Sequence, residues 1–369
     1  AMAQVAKDLG KTADYNILIE KSQYFKNIYN PDTKFMTAKS LSGKWERGGY
    51  REGDKWSYNW TSTHDIQGLI NLAGGKDEFV NQLDTCFLTG KYFHDNEPPL
   101  HNAYLYAYAG QPWKTQEVVR NILELDYNNQ PGGLSGNDDL GALSAWYVFS
   151  SMGFFPVCPG RPEYVFGSPI FKKVTISTEG GNPLVIKAKN ISKENKYIQS
   201  VRLNGTAYKN LWISHQDLIS GGTLEFEIGN KPLIQEIEYK YLPLSETKTK
   251  ADFLIKKWEL SKSKVGANEP FEITTTIKNE GNSAGSVPLT IMVNGKPRET
   301  KWFLVDGKVT AEEKVSLRLY APGNYKIGIK GEIPQNIEVM ADKKATFIYE
   351  NLTLPIPSIA KVNSAVNFK

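Results

Sequence analysis

Cysteine is nearly absent from this chain: Cys86 and Cys158 are the only two in 369 residues. Their spacing does not decide between a disulfide and two thiols, and we expect buried free thiols. Long apolar runs are missing as well. None approaches the roughly 18 residues that cross a bilayer, so no transmembrane segment is expected. No basic, apolar, small-residue signal peptide opens the chain, which begins AMAQVAKDLG and is mid-helix in character. A charge excess is lacking too. The net charge is +4 and the lysines are scattered, which leaves no electrostatic footprint for nucleic acid or an anionic membrane. What remains is an ordinary globular balance, 40% hydrophobic and 23% charged, long enough for two or three domains.

Aromatic residues are plentiful, with 8 Trp, 19 Tyr and 16 Phe. Many lie in the first 160 residues, in KWSYNW, YLYAYAG and AWYVF. A carbohydrate-handling cleft would use them, because sugar C–H faces stack on rings; a large core explains them nearly as well.

The hydrophobic period divides the chain. Up to about residue 155 it is helical. Tyr15, Leu18, Ser22, Phe25 and Tyr29 predict one helix, and His64–Ala73 a second, stopped by Gly74 and Gly75. Phe79, Val80, Leu83 and Phe87 mark a third, Leu100 to Ala107 a fourth, and Thr115 to about Leu125 a fifth. Leu140–Met152 is apolar nearly all round, which predicts burial on most sides. From Tyr164 to about Pro243 the period switches to two and predicts an antiparallel sandwich. Residues 244–250 are polar and read as a linker. A second all-β unit spans Ala251 to about Met340, with a hairpin turn at Asn294-Gly295. The segment after it, NLTLPIPSIAKVNSAVNFK, has no clear period.

Three groups of polar residues fall on predicted loops or helix starts of the helical region. Glu52 lies in YREGDKWSYNW, between aromatics that include Trp56. HDNEPPLH offers His94, Asp95, Asn96, Glu97 and His101. GNDD offers Asp138 and Asp139. Polar groups converging from separate helix–loop junctions are what a cleft at one end of a helical barrel requires. Each also has a plain structural reading. Glu52 as a solvated loop acid, Glu97 as a first-turn acid before Pro98, His101 as a satisfied polar residue on a helix face, and the Asp pair as helix caps all stay open. The His94–Glu97 segment lacks zinc spacing, and its oxygens suit a hard cation such as Ca²⁺ better.

The stretches EG-x-x-W-x-Y-x-W, T-H-D-I-x-G-L, NEP, YLYAYAGQPWKTQ and GNDDxGxxSAWYVFSSMGFFPVCPG resemble glycoside hydrolase family 92. GSPIFKKVTI and NKYIQSVRLNG extend the likeness, which covers roughly residues 3–235. The resemblance implies a calcium-dependent, inverting exo-α-mannosidase acting on mannose-containing glycans, α-1,2-linked ones above all. It implies a multidomain α plus β fold, with residues 1–160 as part of an (α/α)₆ catalytic barrel and 161–245 as the hydrolase's β-sandwich. Residues 251–345 resemble CARDB-type, immunoglobulin-like (Ig-like) modules, on the stretch VGANEPFEITTTIKNEGNSAG; 346–369 are expected to be a tail.

Carried over by position, the family pattern makes Glu52 the general acid and Asp139 the catalytic base, with Asp138 as support or second candidate. It gives Asn96 and Glu97 to calcium, and His94, Asp95, Trp56 and His101 to the substrate subsites. Leu100, where the family commonly has a histidine, departs from that pattern. An extracytoplasmic place, the bacterial periplasm or cell surface, is expected. So is a partner in the form of a separate N-terminal subunit or missing domain, since the family's N-terminal sandwich and first barrel half are not seen here. Impaired activity follows as an expectation, with a non-catalytic glycan-binding or subunit-interaction remnant as the alternative.

Overall fold

The computed structural model describes residues 1–177 and 181–341; the expected tail at 346–369 lies outside the described residues. Eight helices fill the first part: α1 (Met2–Asp8), α2 (Thr12–Ser22), α3 (Lys55–Tyr58), α4 (Ile66–Ala73), α5 (Lys76–Leu88), α6 (Leu105–Tyr108), α7 (Pro112–Leu125) and α8 (Ala142–Met152). A short hairpin, β1 (Tyr29–Asn30) with β2 (Phe35–Met36), lies between α2 and α3. Local signals set the helix ends, and the stop at Gly74 is the one expected. Asp65 accepts the Gly68 N–H at 3.0 Å to start α4, and left-handed Gly74 (φ 97°) ends it. Pro112 opens α7 at its first turn. Trp60, Ile66, Leu72, Phe79, Tyr104 and Trp146 are buried in one core that these helices share.

Strands follow: β3 (Phe154–Phe155), β4 (Glu163–Phe166), β5 (Lys173–Ile176), β6 (Leu184–Lys189), β7 (Tyr197–Leu203), β8 (Thr206–Ala207), β9 (Trp212–Ser214) and β10 (Gly222–Gly229). β3, β4 and β9 form one sheet, and the others form a second in the order β5-β6-β10-β7-β8. The expected sandwich is therefore not wholly antiparallel: β6 and β10 run parallel. β7, which comes between them in the chain, pairs antiparallel on the far side of β10. Leu184, Ile186, Leu224 and Phe226 point with Phe154 and Phe166 into a second core.

The third set is β11 (Phe253–Leu260), β12 (Lys264–Gly266), β13 (Pro270–Asn279), β14 (Gly285–Val293), β15 (Lys296–Val305), β16 (Thr310–Arg318), β17 (Gly323–Ile329) and β18 (Gln335–Met340). Sheets of order β11-β13-β16 and β12-β18-β17-β14-β15 enclose a core of Phe271, Ile273, Leu289, Ile291, Ile327 and others. Asn294 and Gly295, both at positive φ (50° and 76°), turn β14 into β15 as the dipeptide predicts. This set also packs on the helices. Trp302 covers Gly74 so closely that a Cβ there would lie 2.2 Å from the ring, and Lys34 Nζ sits 3.4 Å from the centroid of that ring.

Other expectations are corrected. The first long helix stops at Ser22, and the chain passes through a 3₁₀ turn before Tyr29 enters a strand. The fourth is only a 3₁₀ turn running into α6. Helix α8 is not buried on most sides. Leu143, Trp146 and Ser150 face inward, while Val148 is 55% exposed and Leu140, before the helix, is wholly exposed at φ 53°. The polar 244–250 stretch is no free linker, because Ser245 and Thr247 are buried on the carboxylate of Asp65. Polar side chains were read as solvent-seeking, but a buried acid at a helix start needs such donors. The prediction of buried free thiols agrees with Cys86 and Cys158.

Candidate active site

Three loops meet on one surface, each held from beneath by the helical core. The middle one carries His94 to His101, and its two histidines are its anchors. His94 is 3% exposed, with Nδ1 and Nε2 each 2.6 Å from a tyrosine hydroxyl, those of Tyr92 and Tyr127. The Tyr127 hydroxyl donates to the Leu143 carbonyl at 3.0 Å. It must therefore accept from His94 Nε2–H, which leaves Nδ1 to accept from Tyr92. Burial pushes the His94 pKa down to about 3, so the ring is neutral. His101 is buried too and donates from Nε2 to the Trp60 carbonyl at 2.7 Å; burial lowers it to about 4. Both rings are buried and hydrogen-bonded within the core rather than exposed on this surface. Trp56 is half-buried, packed edge-on against Phe35 at 4.7 Å, and likewise props the first loop.

Between the anchors, Asp95 and Glu97 are exposed and Asn96 bridges outward. Asn96 Nδ2 donates to the Glu52 carbonyl at 3.4 Å, joining the middle loop to the first. On the other side Asn137 N–H donates to the Asp95 carbonyl at 3.2 Å, and Ser135 Oγ donates to the His94 carbonyl. Gly136 makes this contact possible, since a Cβ there would lie 2.1 Å from the Asp95 carbonyl oxygen. The segments around Glu52, Asp95 and Asp138 are thus laced together by their backbones.

Their carboxylates differ in commitment. Asp138 spends both oxygens on Ser144: Oδ1 accepts its N–H at 3.0 Å and Oδ2 its hydroxyl at 2.6 Å. These bonds hold Asp138 below the usual carboxylate range and tie it to the first turn of α8. The carboxylate of Asp139 takes no hydrogen bond or ion pair among the described residues and stands exposed. Glu52 has a 68% exposed side chain, with only the neighbouring Arg51 at 3.7 Å. Its backbone is left-handed at φ 54°, a conformation that costs a non-glycine residue about 1–3 kcal/mol and persists where the surroundings impose it. Glu52 and Asp139 thus stand on separate loops with both carboxylates exposed.

Calcium fits these residues only in part. Asn96 Oδ1 already accepts the Glu97 N–H at 3.0 Å. No three His, Cys, Asp or Glu side chains converge among the described residues. Ser144, Tyr127, Ser135 and Gly136 are site-forming residues that the sequence reading did not name. The glycine before NDD was the one visible signal.

A family model described as the glycosyl hydrolase family 92 catalytic domain matches residues 1–230. A protein of Arthroderma benhamiae described as an uncharacterized secreted glycosidase is 35% identical over 183 residues, 49% of this chain and 24% of that protein. A family 92 alpha-mannosidase of Bacteroides thetaiotaomicron superposes with a TM-score of 0.63 at 35% identity, over 66% of this chain and 35% of its own. An inverting mannosidase of the same family from strain VPI-5482 gives 0.63 at 34% identity, over 66% and 38%. The chain therefore spans between 24% and 38% of the length of these relatives.

Proposed function

The chain belongs to glycosyl hydrolase family 92, and on that footing we propose that it takes part in removing terminal α-linked mannose, α-1,2-linked above all, from glycans with inversion at the anomeric carbon. Glu52 protonates the departing glycosidic oxygen. Asp139 takes a proton from the water that attacks from the opposite face of the sugar. The observation that carries this is the lacing of the three loops. Asn96 ties the Glu52 loop to the middle one, Asn137 ties that to the Asp pair, and Asp138 is consumed in capping α8 while Glu52 and Asp139 are left open. Asp138 is the positioning residue that fixes the turn from which Asp139 projects. An inverting pair needs its carboxyl groups roughly 6.5–9.5 Å apart, so that the water fits.

The helices read as part of an (α/α)₆ barrel, the sheets after them as its accompanying sandwich and the last sheets as an Ig-like module. The reading supplies at most two side chains, Asn96 and Glu97, toward Ca²⁺, and no step is routed through the ion. The relative described as secreted supports an extracytoplasmic place. A second reading, glycan binding without hydrolysis, is favoured by the open exposure of Glu52. Water is not excluded from the acid there.

The test is release of mannose from α-mannobiose by the wild-type chain, Glu52→Gln and Asp139→Asn. Loss of release in both variants, with melting temperature held, supports the assignment; saturable mannobiose binding without release supports the second reading.

A further inference from the structure

On a different part of the molecule, α1 and α2, the strap at 244–248 and the β4–β9 pair wall a cavity of about 790 Å³, well within the range of small-molecule sites. None of Glu52, Asn96, Asp138 or Asp139 lines it. Its floor is unusual. Glu163 begins β4, is 2% exposed and faces the cavity, yet neither carboxylate oxygen has a hydrogen-bond partner. The Leu244 N–H faces it without completing a hydrogen bond. Trp212 on β9 also lines the cavity, with its indole Nε1–H buried and unpartnered. The register explains the pairing. Glu163 lies opposite Ser214 and Val165 opposite Trp212, so Glu163 and Trp212 share one sheet face as diagonal neighbours.

Buried polar groups are almost always partnered, and two orphans of complementary kind facing one cavity mark a place for a ligand. The ligand's chemistry follows from what is free and what is taken. Arg161 spends one guanidinium nitrogen on Glu246 at 3.1 Å and on the His64 carbonyl at 3.2 Å, and Lys248 is held by the Ser245 carbonyl. Arg161 and Lys248 are therefore engaged, and the buried unpartnered groups of this lining are an acceptor, Glu163, and a donor, the Trp212 indole, beside the aromatic surfaces of Trp212 and Tyr15. An anion would meet the Glu163 carboxylate, and a cation would meet Arg161, Lys248 and Lys7. A neutral ring with hydroxyls satisfies both orphans: one hydroxyl donates to Glu163, another accepts from Trp212, and the ring's C–H face lies on an aromatic side chain. We infer that this cavity is a second carbohydrate site, separate from the three-loop surface, that holds a single pyranose between Glu163 and Trp212.

The experiment follows the tryptophan indole N–H signals of the ¹⁵N-labelled chain by NMR, with Trp212 assigned through Trp212→Phe, during titration with D-mannose, D-glucose and glycerol. The expected result is a saturable shift of the Trp212 signal with either hexose, at a dissociation constant of roughly 1–10 mM. Glu163→Leu should weaken binding about tenfold or more, and Glu163→Gln should weaken it less because the amide keeps an acceptor. Each variant's melting curve verifies that it is folded. Glu52→Gln should leave this shift unchanged, which separates the cavity from the proposed catalytic surface. A Trp212 signal indifferent to all three probes up to about 100 mM would mean that the cavity holds water only and would overturn the inference. So would equal affinity in wild type and Glu163→Leu.

Discussion

Glu163 gives the structure a pH signature that can be measured without any ligand. Burial is the main cause that raises its carboxyl from 4.5 to about 7, and the charges of Arg161 and Lys248 offset only part of that. The folded value lies above the unfolded one, so between the two the folded state binds the proton more tightly. The stability from the protonated acid is complete below about pH 4.5 and is lost as pH rises through about 7. At about 1.4 kcal/mol per pH unit the loss amounts to about 3 kcal/mol by pH 8.

Glu163→Gln keeps the shape and removes the titration. Denaturant melts of both proteins across pH 5–8 isolate the effect as a difference. Other groups cancel in that difference, including His94 and His101, whose depressed values make them lose stability in the opposite direction, as pH falls below about 6.5. The wild type should lose about 3 kcal/mol relative to the variant on going from acid to pH 8, or roughly 2–4 °C of melting temperature per kcal/mol. Parallel curves over that range would refute the account of a buried, unpartnered acid.

Further outcomes follow from particular contacts. Thr247→Val removes one of the donors to the buried Asp65 carboxylate, which Thr247 Oγ1 reaches at 2.9 Å; equilibrium unfolding should show a loss of about 1–3 kcal/mol, and no loss would mean the strap is not held there. Gly136→Ala must push the Asp95 carbonyl away and should lower mannose release about 10²-fold with a small change in melting temperature. If Glu52 is the acid, Glu52→Gln should lose about 10²–10⁴-fold on unactivated mannosides and far less on a nitrophenyl mannoside, whose leaving group needs no proton. A uniform loss on both substrates would place Glu52 in binding alone.

The end of α4 was legible because Gly74 is local punctuation whose effect needs no distant partner, whereas the starts at Asp65 and Pro112 were not read as starts. The parallel β6–β10 pair was not, because a two-residue period gives side-chain faces and says nothing of strand direction. The misreading of α8 has the same root: composition records that Val148 and Leu140 are apolar, not whether anything covers them. At the site, the three loops were legible in the sequence, but the depth at which His94 and His101 lie beneath them was not. The spacing of the histidines says nothing of their partners, and only the positions of Tyr92, Tyr127 and Trp60 reveal both rings as anchors. Glu163 was invisible as a special residue, since it lies just before the stretch where the two-residue period begins and only its neighbours in space reveal its burial.

The central claim is that Glu52 and Asp139 act on one bond across one water, and the anomeric form of the first mannose released tests it most directly. Proton NMR of α-mannobiose during turnover should show β-mannose appearing first, with no release by Glu52→Gln or Asp139→Asn. Release of α-mannose first, or release that survives both substitutions, would contradict it.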